Sequence, residues 1–135
     1  MQFVVETPSG HSLTIDSVPE VGGRNTGARP MELLVAGVAG CTAMDVISIL
    51  RKMQQKVTGL KVEVNGEQAS EHPRKLVSLH ITYMVVGYDL SENSVARAIE
   101  LSETKYCPAM ASLRPGVPIT SSYTIVQAGP ETLVK

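Results

Sequence analysis

The side chains with the most chemistry in this sequence are two thiols, Cys41 and Cys107. A thiolate is a strong nucleophile, exchanges with disulfides, and binds soft metal ions. Two cysteines are too few for a Cys-rich zinc site or a disulfide scaffold. His11, His72 and His80 fall in separate segments without the spacing of metal ligands, so structural or surface roles are expected for them and no metal is expected. The run GGRNTG lacks the lysine and the preceding strand of a phosphate-binding loop, and reads as a flexible connection. No Gly-x-Ser-x-Gly nucleophile elbow occurs. The residues alone leave three uses open for the thiols: redox nucleophiles, small buried hydrophobes, or a structural disulfide, which a reducing cytosol disfavours.

The elements around the thiols set the next constraint. Cys41 lies midway along an apolar run that opens at Pro30, and proline suits a first helical turn. A helix from about Met31 to Gln54 is expected. Besides the thiol, its only polar side chains between Leu33 and Leu50 are Thr42, Asp45 and Ser48, spaced three apart. A helix apolar nearly all round must be covered on nearly all sides, by other helices or by a second subunit. Glu32 and Asp45 argue against a bilayer span, because each is expensive in a membrane centre. Cys107 sits at a helix junction. Ser91 is a plausible N-cap for a helix with Val95, Ala98, Ile99 and Ser102/Tyr106 on one stripe, Pro108 interrupts it, and PAMASL suits a short helix beyond.

Strands complete the order. QFVVET and HSLTID flank a Pro8-Ser9-Gly10 turn as a hairpin, followed by a polar connection from Val21 to Arg29. VTGLKVEVNGEQ and LVSLHITYMVVG alternate, the second with Val77, Leu79, Ile81, Tyr83 and Val85 on one face, and ITSSYTIVQ is the last strand. The order ββ-α-ββ-αα-β predicts an α+β fold rather than a parallel α/β one.

At 135 residues the chain reads as a single domain, 1–135. Twelve Lys+Arg against thirteen Asp+Glu give a net charge of −1, which argues against nucleic acid or an anionic membrane as partner. With no Trp and one Phe, a stacking platform for single strands is excluded too. A hydrophobic share of 43% and a charged share of 19% exclude wholesale disorder. The first residues, MQFVVETPSG, lack the basic start and apolar core of a signal peptide, so a cytoplasmic protein is expected.

The two cysteine neighbourhoods, RPMELLVAGVAGCTAMDVISILRK and SVARAIELSETKYCPAMASL, resemble the OsmC/Ohr family of thiol peroxidases, in particular its short YhfA-like branch. The matching features are the Pro-x-Glu-Leu opening, the small residues leading into Gly40-Cys41-Thr42, the Tyr106-Cys107-Pro108 segment, and the order of elements over nearly the whole chain. The resemblance implies antiparallel sheets wrapped around two central helices in an intertwined homodimer. It implies a hydroperoxide substrate attacked by Cys41, with Cys107 resolving the sulfenic acid and a dithiol of the lipoyl type as reductant, without a cofactor. The family's thiolate leans on an arginine oriented by a glutamate. This chain has no Arg before Arg24, so Arg24 and Arg29 are the candidate cations. Met31 stands ten residues before Cys41, where the family places its glutamate, and Glu32 stands nine before. At about 100° per residue that sets Glu32 on the opposite side of the helix from Cys41. Asp45, one turn on, shares the thiol's face and works against a thiolate unless a cation pairs with it. The alternative is a protein of the same fold without efficient peroxidase activity, binding a small apolar ligand or a partner at the dimer-interface pocket.

Overall fold

The computed structural model describes residues 1–128, so residues 129–135 of the expected 1–135 domain lie outside the described part. The chain divides into two units, Met1–Ala36 and Gly37–Lys135.

In the first unit, β1 (Phe3–Glu6) pairs antiparallel with β2 (Ser12–Ile15) around the expected turn. The segment beyond it is not the loose connection its glycines suggest. It winds round Asp16, whose carboxylate accepts from the Thr26 hydroxyl (2.6 Å), the Ser17 N–H (2.7 Å), the Arg24 N–H (3.1 Å) and the Thr26 N–H (3.2 Å). Gly23 is required there, because a Cβ would collide with the Ser17 carbonyl and the Asp16 carboxylate. The Thr26 hydroxyl, then the Ser17 N–H and the other amides, hold the Asp16 carboxyl well below the usual carboxylate range against the opposing effect of burial. A depressed folded-state value contributes stability that is fully present above about pH 4 and is lost as pH falls below it. Asp16→Asn, which turns an amide group toward N–H donors, is expected to melt earlier than the wild type at neutral pH. The gap should narrow below about pH 4; thermal unfolding across pH checks this.

Helix α1 (Pro30–Lys52) begins in this unit and runs on into the second. Pro30 takes the first helical position, and the Glu32 carboxylate reaches back to accept the Arg29 N–H at 2.8 Å, satisfying one of the orphan donors of the helix start. Arg51 and Lys52 close the helix, where the dipole favours cations.

In the second unit, β3 (Lys56–Gln68) pairs antiparallel with β4 (Leu76–Tyr88), and β5 (Ile119–Gln127) lies on the other side of β4. Two of the three strand pairings are antiparallel, as expected. The third, β4 with β5, is parallel, because the chain between them returns through α2 (Glu92–Leu101) and α3 (Pro108–Leu113) instead of a hairpin turn. Leu79, Ile81, Tyr83 and Val85 of β4 are buried, and so are Val95, Ala98 and Ile99 of α2. Val77, expected on that face, is exposed and Leu76 is buried instead, because a register shift at Glu67/Gln68 breaks the alternation at the start of β4. Gly87 is required where the Lys56 carbonyl meets β4, since a Cβ would strike it. Ser91 caps α2 by accepting the Ser94 N–H at 3.2 Å.

The α2 stripe does not continue to Tyr106, which is 50% exposed. Between α2 and α3 the chain makes a widened π-helical turn over Ser102–Tyr106, in which the Cys107 N–H reaches the Ser102 carbonyl five residues back at 2.8 Å. One extra residue in the turn rotates Tyr106 off the stripe and leaves Ser102 on it. On α1, Val38, Thr42, Val46 and Leu50 are buried, while Met44 on the opposite face is 76% exposed. The cover expected on nearly all sides of this helix is thus not provided by the described residues. Among the described residues α1 alone is long and apolar enough to cross a membrane by length and composition.

Candidate active site

Helical spacing puts Cys41 and Asp45 one turn apart on the same face of α1, and the widened turn before Pro108 brings Cys107 to them. The two sulfurs and a carboxylate oxygen of Asp45 all lie within 4.8 Å of one another. Both thiols are free. Their environments differ: Cys41 is half-buried, whereas Cys107 is 3% exposed. Burial pushes the Cys107 thiol up to about 11, with the Cys41 thiol adding to the effect and the Met110 and Ala109 N–H groups opposing it. Cys107 is therefore a protonated thiol at neutral pH. Two sulfurs and one carboxylate make three donors, one short of the four a structural zinc takes, and no metal centre is assigned to them.

Behind the sulfurs runs a buried polar network. The Ser102 hydroxyl donates to Asp45 Oδ2 at 3.1 Å and meets the Thr42 hydroxyl at 2.8 Å. Thr42 meets the Tyr83 hydroxyl at 2.8 Å, and Tyr83 donates to Glu103 Oε2 at 2.8 Å. Burial, with help from Glu103, pushes the Tyr83 phenol well above its ordinary range, so it stays protonated. Beside Asp45 opens a groove of about 430 Å³ lined by Ser48, Ile49, Lys52, Met53, Leu101 and Tyr106. Its walls are apolar apart from Ser48, Asp45, Lys52 and the Tyr106 hydroxyl.

The sequence singled out Cys41 and Cys107, and the fold brings them together with Asp45. Arg24, Arg29 and Glu32 belong to the first unit. There the Arg29 guanidinium donates to the Gly27 carbonyl at 2.9 Å and to Asn25 Oδ1 at 2.7 Å, the Arg24 N–H serves Asp16, and Glu32 caps α1. His80 bridges Thr120 and Ser122 of β5, a structural use consistent with its expected role. Sequence reasoning missed Tyr83, Ser102 and Glu103 as site residues. The available signals were a serine in an otherwise apolar α2 stripe and the three-apart spacing of Thr42 and Asp45.

Comparison with known proteins gives the chain a family and a fold. Residues 23–122 match the sequence profile of a family described as OsmC-like protein. The chain is 37% identical to Protein YhfA of Escherichia coli (strain K12) over 131 residues, covering 95% of this chain and 92% of that one. It superposes on a hypothetical protein from Aquifex aeolicus VF5 with a TM-score of 0.82 and 28% identity, over 95% of this chain and 89% of the other. An organic hydroperoxide resistance protein OsmC from Legionella pneumophila shares the fold, with a TM-score of 0.66 at 16% identity over 92% of this chain and 95% of that one.

Proposed function

Because this chain belongs to the OsmC-like protein family, we infer that it is a two-cysteine hydroperoxide reductase acting as a homodimer. The observation that carries the reading is the meeting of the two sulfurs within 4.8 Å, one half-buried and one buried and protonated. The name of the Legionella pneumophila relative, an organic hydroperoxide resistance protein, points to the same substrate class. Cys41, as thiolate, attacks the terminal oxygen of ROOH; an S–O bond forms, the O–O bond breaks, and the sulfur loses two electrons to the peroxide. The alkoxide leaves and takes a proton, giving ROH and a sulfenic acid on Cys41. The Cys107 thiol condenses with it, forming the disulfide and releasing water. A dithiol of the lipoyl type then restores both thiols by exchange. Ile49, Met53 and Leu101 give the groove beside Asp45 an apolar side that suits the R group.

Arg29 or Arg24, in place of the arginine the family carries earlier in the chain, is with Glu32 the candidate for steadying the thiolate; Lys52 lines the groove beside Asp45. A second copy supplies the cover that the open face of α1 lacks, residues 1–135 act as one OsmC-like domain, and free thiols fit a reducing cytoplasm. A wild-type sample given one equivalent of an organic hydroperoxide should lose two hydrogens per chain, with a peptide map joining Cys41 to Cys107. Unchanged thiols after the pulse would favour the ligand-binding alternative, for which the apolar groove is the natural site.

A further inference from the structure

Asp45, Ser102, Thr42, Tyr83 and Glu103 form one unbranched chain of hydrogen bonds with a carboxylate at each end. Four contacts join the five groups, at 3.1, 2.8, 2.8 and 2.8 Å in that order. Each contact needs one proton, because two oxygen lone pairs at such distances repel. The three hydroxyls bring one proton each and ionised carboxylates bring none. If Ser102 donates to Asp45 and Tyr83 donates to Glu103, the Thr42 proton serves one neighbour and the other 2.8 Å contact has no hydrogen. Water does not fill the gap, since Thr42, Ser102 and Tyr83 are each 0% exposed.

We propose that this chain holds a fourth proton, shared between Asp45 and Glu103, and that it relays protons between Glu103 and the two sulfurs. The proposal rests on the hydroperoxide-reductase reading and extends it. With the proton on Asp45, every bond runs from Asp45 through Ser102, Thr42 and Tyr83 to an ionised Glu103. With the proton on Glu103, every bond runs the other way. One proton shifting across each of the four contacts interconverts the two states and moves a net proton from one carboxylate to the other. Asp45, whose carboxylate lies within 4.8 Å of both sulfurs, gives its proton to the departing alkoxide, and the hydroxyls pass a replacement from Glu103. Glu103 is half-buried, its other oxygen accepts from Ser121 of β5 at 3.0 Å, and its main-chain carbonyl accepts from the Arg114 guanidinium at 2.9 Å. It reaches solvent at the end of the chain away from the sulfurs, so a proton can enter or leave there without passing the groove beside Asp45. The groups facing Asp45 are Cys41, Cys107 and Ser102, with Lys52 and Tyr106 lining the same groove. When the dithiol regenerates Cys41, the same chain carries the thiol proton out. The protonated partner also removes the repulsion that an ionised Asp45 would exert on the Cys41 thiolate.

The proton count makes a sharp test. Deleting any one hydroxyl leaves two contacts and two protons in the remaining linked groups, so Thr42→Val, Ser102→Ala and Tyr83→Phe each remove the need for a protonated carboxyl. Asp45→Asn and Glu103→Gln keep all four contacts through an amide N–H and also remove it. Infrared spectra of the reduced wild type at neutral pH should show one protonated-carboxyl carbonyl band that shifts in D₂O and is absent from all five variants. A wild-type spectrum without that band, or a band unchanged in Thr42→Val, overturns the shared proton. The relay is tested by leaving group. An alkyl hydroperoxide expels an alkoxide that needs a proton, whereas a peroxyacid expels a carboxylate that does not. Thr42→Val should slow Cys41 oxidation by the alkyl hydroperoxide about 10²-fold, the lower end of general-acid effects, and leave the peroxyacid rate nearly unchanged. Equal slowing of both overturns the relay and marks the chain as structural. A wild type that neither peroxide oxidises overturns the reductase reading and the relay together, while the infrared band still decides the shared proton.

Discussion

Cys41→Ser is expected to abolish reaction with organic hydroperoxides, a loss on the order of 10⁴-fold or more, whereas Cys107→Ser should keep one full-rate turnover and then stop. The asymmetry follows from the environments of the two sulfurs. Cys107 is 3% exposed and its thiol is pushed up to about 11, so only about one part in 10⁴ is thiolate at neutral pH. That is a poor state for first attack on a peroxide; in the resolving step the thiol ionises as its sulfur bonds to Cys41, and its proton leaves with the hydroxide of the sulfenic acid as water. Cys41 is half-buried and stands at the head of a face that continues through Asp45 to the groove. Mass spectrometry after a peroxide pulse should find sulfenic acid on Cys41 in the Cys107→Ser variant. Sulfenic acid on Cys107 in the Cys41→Ser variant, formed at the wild-type rate, would reverse the roles. The pH dependence has a defined sign. In Cys41→Ser, alkylation of Cys107 should climb about tenfold per pH unit from neutral pH and level off below 11, because burial still raises the thiol while the Cys41 contribution is lost. Because the buried thiol resists ionising while the unfolded one does not, the Cys107 contribution to stability falls as pH rises from about 8.5 to 11.

Met44→Glu is expected to split the proposed dimer. Met44 is 76% exposed on the α1 face opposite Val38, Thr42, Val46 and Leu50, so within one chain a charge there costs little. Gly37 and Gly40 are exposed too, and a Cβ at either would meet nothing within 4 Å. Such a face lets a second helix come close. An interface of the expected kind buries well over ~2,000 Å² in total. A glutamate in its centre would be a charge without a partner, worth about 3 kcal/mol or more per subunit and about 10²-fold in the dissociation constant for each. Light scattering at micromolar concentration should give a dimer for the wild type and a monomer for the variant. A wild type that stays folded and monomeric at that concentration removes the homodimer from the reading.

The α+β order and the elements themselves were legible in the sequence because each rests on a local rule. Pro30 starts α1, Ser91 caps α2, Pro108 breaks the helix after Cys107, and the alternation of Leu79, Ile81, Tyr83 and Val85 marks a strand with one buried face. The two thiols stood out in the sequence as the candidate nucleophiles because little else in the chain has comparable chemistry. What the sequence could not show depended on groups far apart in it. The parallel pairing of β5 depends on the path the chain takes between β4 and β5, and the exposure of Val77 depends on a register shift against β3. Asp16 turned a glycine-rich segment into an ordered loop through four hydrogen bonds, three of them to residues eight or ten positions on. Tyr83 read as one more core residue, because its face of β4 is apolar and periodicity says nothing about a hydroxyl. Only the widened turn at Ser102–Tyr106, which sets Ser102 against Thr42 and Cys107 beside Cys41, decided that Asp45 and Glu103 end one hydrogen-bonded chain. Periodicity assigns each side chain to a face of its own element, and only packing decides which faces meet.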